Sequence, residues 1–206
     1  LRLPTLGRAM RMGLLVSAIV LATQIILGGL TVLELLASWT VTSHLVTGNA
    51  FALSVVVLAR RLLRISGHLA GAAPASPALR TATTATGLLL FIQIVLGGLV
   101  SSSYAGLVCP DWPTCMNGEY FPTWTGIPGL HLFHRTVGYT VVLALAMTAY
   151  MARGHASTQR WLMLAAVMGA AQACVGITNV LLRLPVEVTA LHSALAAGYQ
   201  AACLRP

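Results

Sequence analysis

The chain has 206 residues, 57% of them hydrophobic and only 8% charged, and its mean hydropathy is +0.84. A soluble domain of this length carries roughly a quarter charged residues, so four acidic and twelve basic side chains exclude a large water-facing surface. The net charge of +8 does not point to nucleic acid, because the arginines lie in short gaps between apolar runs instead of on one amphipathic face.

A spanning helix needs about 20 mainly apolar residues. Six segments meet that length, at 13–36, 41–59, 83–104, 130–152, 161–182 and 186–204. They predict an all-α membrane protein of six transmembrane helices. Arg2, Arg8 and Arg11 precede the first helix; Arg60, Arg61, Arg64 and Arg80 follow the second; Arg153 and Arg160 follow the fourth, and Arg205 follows the last. If all six segments span, these arginines share one side, and the positive-inside rule places both termini in the cytoplasm. Leu1 opens the chain with no signal-peptide pattern, which reads as a fragment or a processed product.

The first helix carries Gln24-Ile-Ile-Leu-Gly28-Gly29-Leu30, and Glu34 is an acid near its outer end. The third helix repeats the pattern as Gln93-Ile-Val-Leu-Gly97-Gly98-Leu99, and the fifth gives a weaker copy, Gln172-Ala-Cys-Val-Gly176-Ile177. The separation from Gln24 to His44 equals that from Gln172 to His192. Helices 1–2 and 5–6 thus read as copies, each closed by a tight turn. Helices 3–4 share the front end but replace the turn with a long loop, 105–129, before His134. If the repeating unit is a long-loop hairpin followed by a tight one, 83–206 is a complete four-helix unit, 65–82 a cytoplasmic linker, and 1–64 half of an earlier unit whose first hairpin lies outside the chain.

The long loop holds Cys109 and Cys115. On an oxidising outer face a disulfide between them is expected, because zinc would require further ligands that the loop does not supply. Cys174 and Cys203 lie within helices and read as small apolar residues.

Ionisable groups inside spans are costly and usually functional. His44, His134 and His192 each fall one to two turns into a helix from its outer end, at equivalent places in the repeat, which favours ligation over chance helix packing. No carboxylate or thiolate shares their depth to complete a small-metal site. Two axial imidazoles on facing helices suit haem, with Gly97, Gly98, Gly138 and Gly176 opening a slot. Arg135 and Arg183, outside the positive-inside pattern, either pair with propionates or snorkel to the interface. His131 is a substitute ligand or a supporting group, and His68 and His155 read as solvated loop residues.

Three elements together resemble a known family: the Gln93-to-Leu99 run, the loop Ala105-Gly-Leu-Val-Cys-Pro-Asp-Trp-Pro-Thr-Cys-Met-Asn-Gly118, and the His134-Arg135 pair. With His44 and His192, they make the chain similar to the haem A synthase family across essentially its whole length. The resemblance implies two pseudo-twofold four-helix units, of which this chain would supply the third to eighth helices. It implies a b-type haem between His134 and His192, and a substrate-haem site for which His44 is one ligand. The second ligand and the catalytic acid would lie in the missing hairpin, so no catalytic residue is assigned here. The implied reaction oxidises a ring methyl of haem O to the formyl of haem A, in a bacterial plasma membrane. The implied partners are lipid, an unidentified electron donor, further copies of the chain, haem O synthase or terminal oxidase assembly. Two other readings stand beside it: a non-catalytic haem-binding or electron-transfer protein, and a small transporter, which the absence of paired mid-span breaks disfavours.

Overall fold

The computed structural model describes residues 7–68 and 75–203, with side chains as far as Gly198. Part of the expected linker (69–74), Arg2 and Arg205 lie outside the described residues. The chain forms α1 (Arg8–Leu33), α2 (Ser38–Ile65), α3 (Pro77–Ser102), a 3-10 turn at Ala105–Leu107, α4 (Gly126–Met151), α5 (Ala156–Leu181) and α6 (Val186–Cys203). Among the described residues there is no β-strand, only an isolated bridge between Met116 and Glu119.

Several helices outrun the apolar segments that announce them. α2 continues through Arg60, Arg61 and Arg64. α3 starts at Pro77, with the Ser76 hydroxyl accepting the Leu79 N–H at 3.2 Å. Arginine is a good helix former whose long stem can reach the interface, so the polar ends stay helical. Proline at the first helical position and serine at the cap favour the earlier start. Glu34, expected within the first span, is instead the exposed residue that ends α1.

α1 to α5 are each long and apolar enough to cross a membrane; α6, of 18 residues with Glu187 in its first turn, is not among them. All six expected segments are helical, and five of them qualify as spans by length and composition. At 1.5 Å per residue α6 is about 27 Å long, against a hydrocarbon core of about 30 Å. Apolar side chains cover the outsides of these helices, with Ile25 at 68% and Leu143 at 70% exposure. That surface suits lipid, not water, and the protein is an integral membrane protein.

The chain divides into two compact units, 1–73 and 74–206. In the first, α1 and α2 form a hairpin joined through small residues: the Ser17 and Ser54 hydroxyls meet at 2.9 Å, and a Cβ on Gly13 would sit 2.7 Å from Leu58 Cδ2. In the second, each helix packs on the next. Leu90, Val141, Leu145 and Ala165 make its central core, backed by Met168 and Ala196, and Leu79, Ala149, Ala152 and Leu162 make a second cluster. The Thr86 and Thr148 hydroxyls bond at 2.9 Å between α3 and α4.

The two tight turns have one conformation. In the first, Glu34, Leu35 and Leu36 donate to Leu30, Val32 and Thr31, with Leu35 and Leu36 at positive φ. In the second, Leu182, Arg183 and Leu184 donate to Thr178, Val180 and Asn179, with Arg183 and Leu184 at positive φ. Every position is displaced by the same offset that relates Gln24 to Gln172. α3 ends in a similar way, with Ser103 donating to Leu99 and Tyr104 to Ser101, and Tyr104 at φ 53°, before the chain departs into the long loop.

Candidate functional site

Each hairpin interlocks a histidine with a glycine. A Cβ on Gly28 would lie 3.0 Å from Cε1 of His44, one on Gly97 would lie 3.2 Å from Cε1 of His134, and one on Gly176 would lie 2.9 Å from Cε1 of His192. The glycine sits one turn after the glutamine of the repeat, so it shares a helix face with it. On the second helix of the first two hairpins a glycine sits one turn after the histidine and receives the glutamine in return. A Cβ on Gly48 would lie 2.8 Å from Gln24 Nε2, and one on Gly138 would lie 3.0 Å from Gln93 Nε2. The third hairpin has Ala196 there, and Gln172 Nε2 donates instead to the His192 carbonyl at 2.8 Å. The glycines thus hold the imidazoles inside their own hairpins. The glutamines, which mark the repeat in the sequence, belong to the site.

The rings differ in what they touch. His44 Nδ1 lies 3.2 Å from the Gln24 carbonyl, and its Nε2 lies 3.3 Å from Gln24 Nε2. Nδ1 of His134 and Nδ1 of His192 are buried without a hydrogen-bond partner. His134 and His192 lie within electrostatic reach of each other in the second unit, whereas His44 belongs to the first. Among the described residues no three His, Cys, Asp or Glu side chains converge on a small-metal position. Two half-buried imidazoles with free ring nitrogens in apolar surroundings fit a ligand that brings its own equatorial donors, as haem does.

The long loop is fastened to α4 by Arg135. Its Nη2 donates to the carbonyls of Cys109 (2.8 Å) and Asp111 (2.9 Å), its Nη1 to that of Thr114 (3.0 Å), and its Nε to His131 Nε2 (3.3 Å). That commits most of the guanidinium N–H groups and makes His131, only 3% exposed, part of the clamp. Cys109 and Cys115 form a disulfide, both residues buried against Leu132. Asn117 and Gly118, both at positive φ, turn the chain so that Cys115 N–H donates to the Glu119 carbonyl at 2.7 Å. Asn-Gly is suited to that turn because neither residue resists the left-handed region. Trp112 Nε1 donates to the Tyr139 hydroxyl at 3.0 Å, and Phe121, Trp124 and Phe133 pack ring against ring in the same region. A Cβ on Gly106 would meet Leu184 at 2.8 Å, so the loop also packs on the α5–α6 turn.

The other candidates stand apart from this centre. Arg183 is exposed in the α5–α6 turn, and His68 is exposed, its Nδ1 bonded to Ser66 at 2.9 Å. His155 precedes α5, and Cys174 is an exposed free thiol on α5. The side chain of Cys203 lies outside the described residues.

Residues 2–204 match the family described as COX15-CtaA, Cytochrome oxidase assembly protein. The chain is 31% identical to the haem A synthase of Methylobacterium radiotolerans over 170 residues, 74% of this chain and 44% of that protein. It is 34% identical to the haem A synthase of Methylobacterium sp. (strain 4-46), over 75% of this chain and 46% of that protein. The haem A synthase of Ruegeria sp. (strain TM1040) is 37% identical over 54% of this chain and 33% of its own length. The chain thus spans about half the length, or less, of these curated relatives. A match over nearly the whole chain, together with these relatives, shows that the chain belongs to the COX15-CtaA family of cytochrome oxidase assembly proteins, the haem A synthase family.

Proposed function

We propose that the protein takes part in haem A biosynthesis as a haem A synthase-type oxidoreductase, acting on haem O to oxidise a ring methyl to a formyl group. The observation that carries this reading is the pair His134 and His192, two imidazoles in one compact unit, each with a buried ring nitrogen that has no partner. In this reading residues 83–206 form a four-helix unit, with α6 crossing the membrane beside α5, and hold a b-type haem between the two histidines. When bound, that haem supplies one-electron chemistry, its potential set by its axial ligands and its burial. His44, on the helix pair 1–64, belongs to the site for substrate haem. Arg183 and the remaining N–H of Arg135 face propionates; the main work of Arg135 is to hold the loop. The membrane is a bacterial plasma membrane, with both termini cytoplasmic and the disulfide loop on the oxidising side.

The test is a reduced-minus-oxidised visible spectrum, with haem extraction, of the detergent-purified chain and three variants. The expected result is a six-coordinate b-type signal near one haem per chain that His134→Ala and His192→Ala abolish and His68→Ala preserves. Normal low-spin haem in both of the first two variants would refute the ligands. Haem at full occupancy without turnover of haem O would favour the second reading, a haem-binding or electron-transfer protein.

A further inference from the structure

The three hairpins use one glutamine in three ways, and the first two differ at a single neighbouring position. In the first hairpin Gln24 Oε1 accepts a hydrogen bond from the hydroxyl of Thr47, which lies just under one turn after His44. The corresponding residue after His134 is Val137, which has no hydroxyl to offer. Gln93 Oε1 is accordingly buried with no partner, and so is His134 Nδ1. The two side chains interlock: the His134 ring fills the notch at Gly97, one turn beyond Gln93, and Gln93 fills the notch at Gly138, one turn beyond His134. Gln93 Oε1 and His134 Nδ1 are thus a buried acceptor and a buried ring nitrogen, each orphaned, on side chains that interlock, and a buried polar atom left without a partner is costly. In the other two hairpins the glutamine main-chain carbonyl faces the ring, at 3.2 Å from His44 Nδ1 in the first and beside His192 in the third, so α3 and α4 alone carry the argument.

We propose that Gln93 is the positioning residue for His134, its Oε1 accepting the Nδ1–H of the imidazole and presenting Nε2 to iron. This rests on the haem-ligand reading above. Ligating histidines generally donate their second ring N–H to an acceptor, which fixes the tautomer and ring plane and raises ligand basicity. Here a carboxamide on the neighbouring helix takes that part.

The experiment measures the midpoint potential and low-spin EPR spectrum of the haem in the full-length chain and three variants. Removing the acceptor weakens electron donation to iron and favours the ferrous state, so Gln93→Leu is expected to raise the potential. Gln93→Glu, a stronger acceptor, is expected to lower it below that of the unaltered protein. Val137→Thr leaves Gln93 in place but gives its Oε1 the hydroxyl that Gln24 has, and is expected to raise the potential with full haem content. This variant changes one near-isosteric side chain, so it remains readable if Gln93→Leu fails to fold. Shifts of the same sign in Gln93→Leu and Gln93→Glu, or an unchanged potential in Gln93→Glu and Val137→Thr at full haem content, would overturn the proposal. Absence of haem from the unaltered chain would instead overturn the ligand reading on which it rests.

Discussion

Two glycines on α3 separate the contacts that matter at the histidines from those that do not. A Cβ at Gly97 meets the His134 ring at 3.2 Å, whereas one at Gly87, on the same helix, meets nothing within 4 Å. Gly97→Ala should therefore shift the imidazole by a few tenths of an ångström and alter the low-spin spectrum, and Gly97→Leu should lose the haem. Gly87→Ala should keep both and gain about 0.5–1 kcal/mol from reduced chain entropy. Haem extraction and thermal unfolding of the three variants check this. The histidines themselves were legible in the sequence, being rare ionisable groups in apolar runs. That Gly28, Gly97 and Gly176 serve ring packing was not, since a glycine in a spanning helix reads equally well as a site of close helix approach. The role of Arg135 was legible only as an alternative between propionate pairing and snorkelling, and the structure commits most of its N–H groups to loop carbonyls.

At the scale of elements, the long loop depends on one side chain from α4. Arg135 binds three carbonyls from a segment that, between Val108 and Thr125, contains no helix or strand of its own. Charged donors to carbonyls are worth about 1.5–3 kcal/mol each, and losing several at once leaves acceptors unpaired. Arg135→Gln should thus destabilise the loop by about 2–3 kcal/mol. It should speed hydrogen exchange in residues 108–116 while leaving α1 and α2 unchanged, which mass spectrometry can read. Equal exchange throughout would mean that the disulfide alone holds the loop. The hairpin turns were legible as a spacing: equal gaps from Gln24 to His44 and from Gln172 to His192 imply turns of equal length. Their shared positive-φ residues, Leu35 and Leu36 against Arg183 and Leu184, were not, because leucine and arginine carry no signal for that conformation.

For the whole molecule the open quantity is the number of crossings. Thr125 and Ser157 flank α4, and a chain end after α6 returns to the Ser157 side only if α6 spans. In a background lacking Cys174 and Cys203, an impermeant maleimide should label Thr125→Cys from outside whole cells, and Ser157→Cys only after permeabilisation. A cysteine appended after Pro206 should behave as Ser157→Cys does. Labelling in the manner of Thr125→Cys would leave five crossings and place α6 at the surface. This topology is the one that the arginine distribution predicts by the positive-inside rule. The sixth span rests on thinner ground, because α6 is shorter than the others and carries Glu187 and His192.

The sequence by itself determined the membrane character, the helices, the hairpin repeat and the three histidines. Those features are local: hydropathy acts over about 20 residues, and a spacing survives in any fold that keeps the turn. Only the tertiary structure decided that Gln93 Oε1 and His134 Nδ1 are each buried without a partner in one hairpin, that Thr47 occupies the corresponding oxygen of Gln24, and that Arg135 clamps the disulfide loop. Each of these joins groups well separated along the chain, through the register of two packed helices or the path of a loop. That register is set by how glycines and side chains interdigitate in three dimensions.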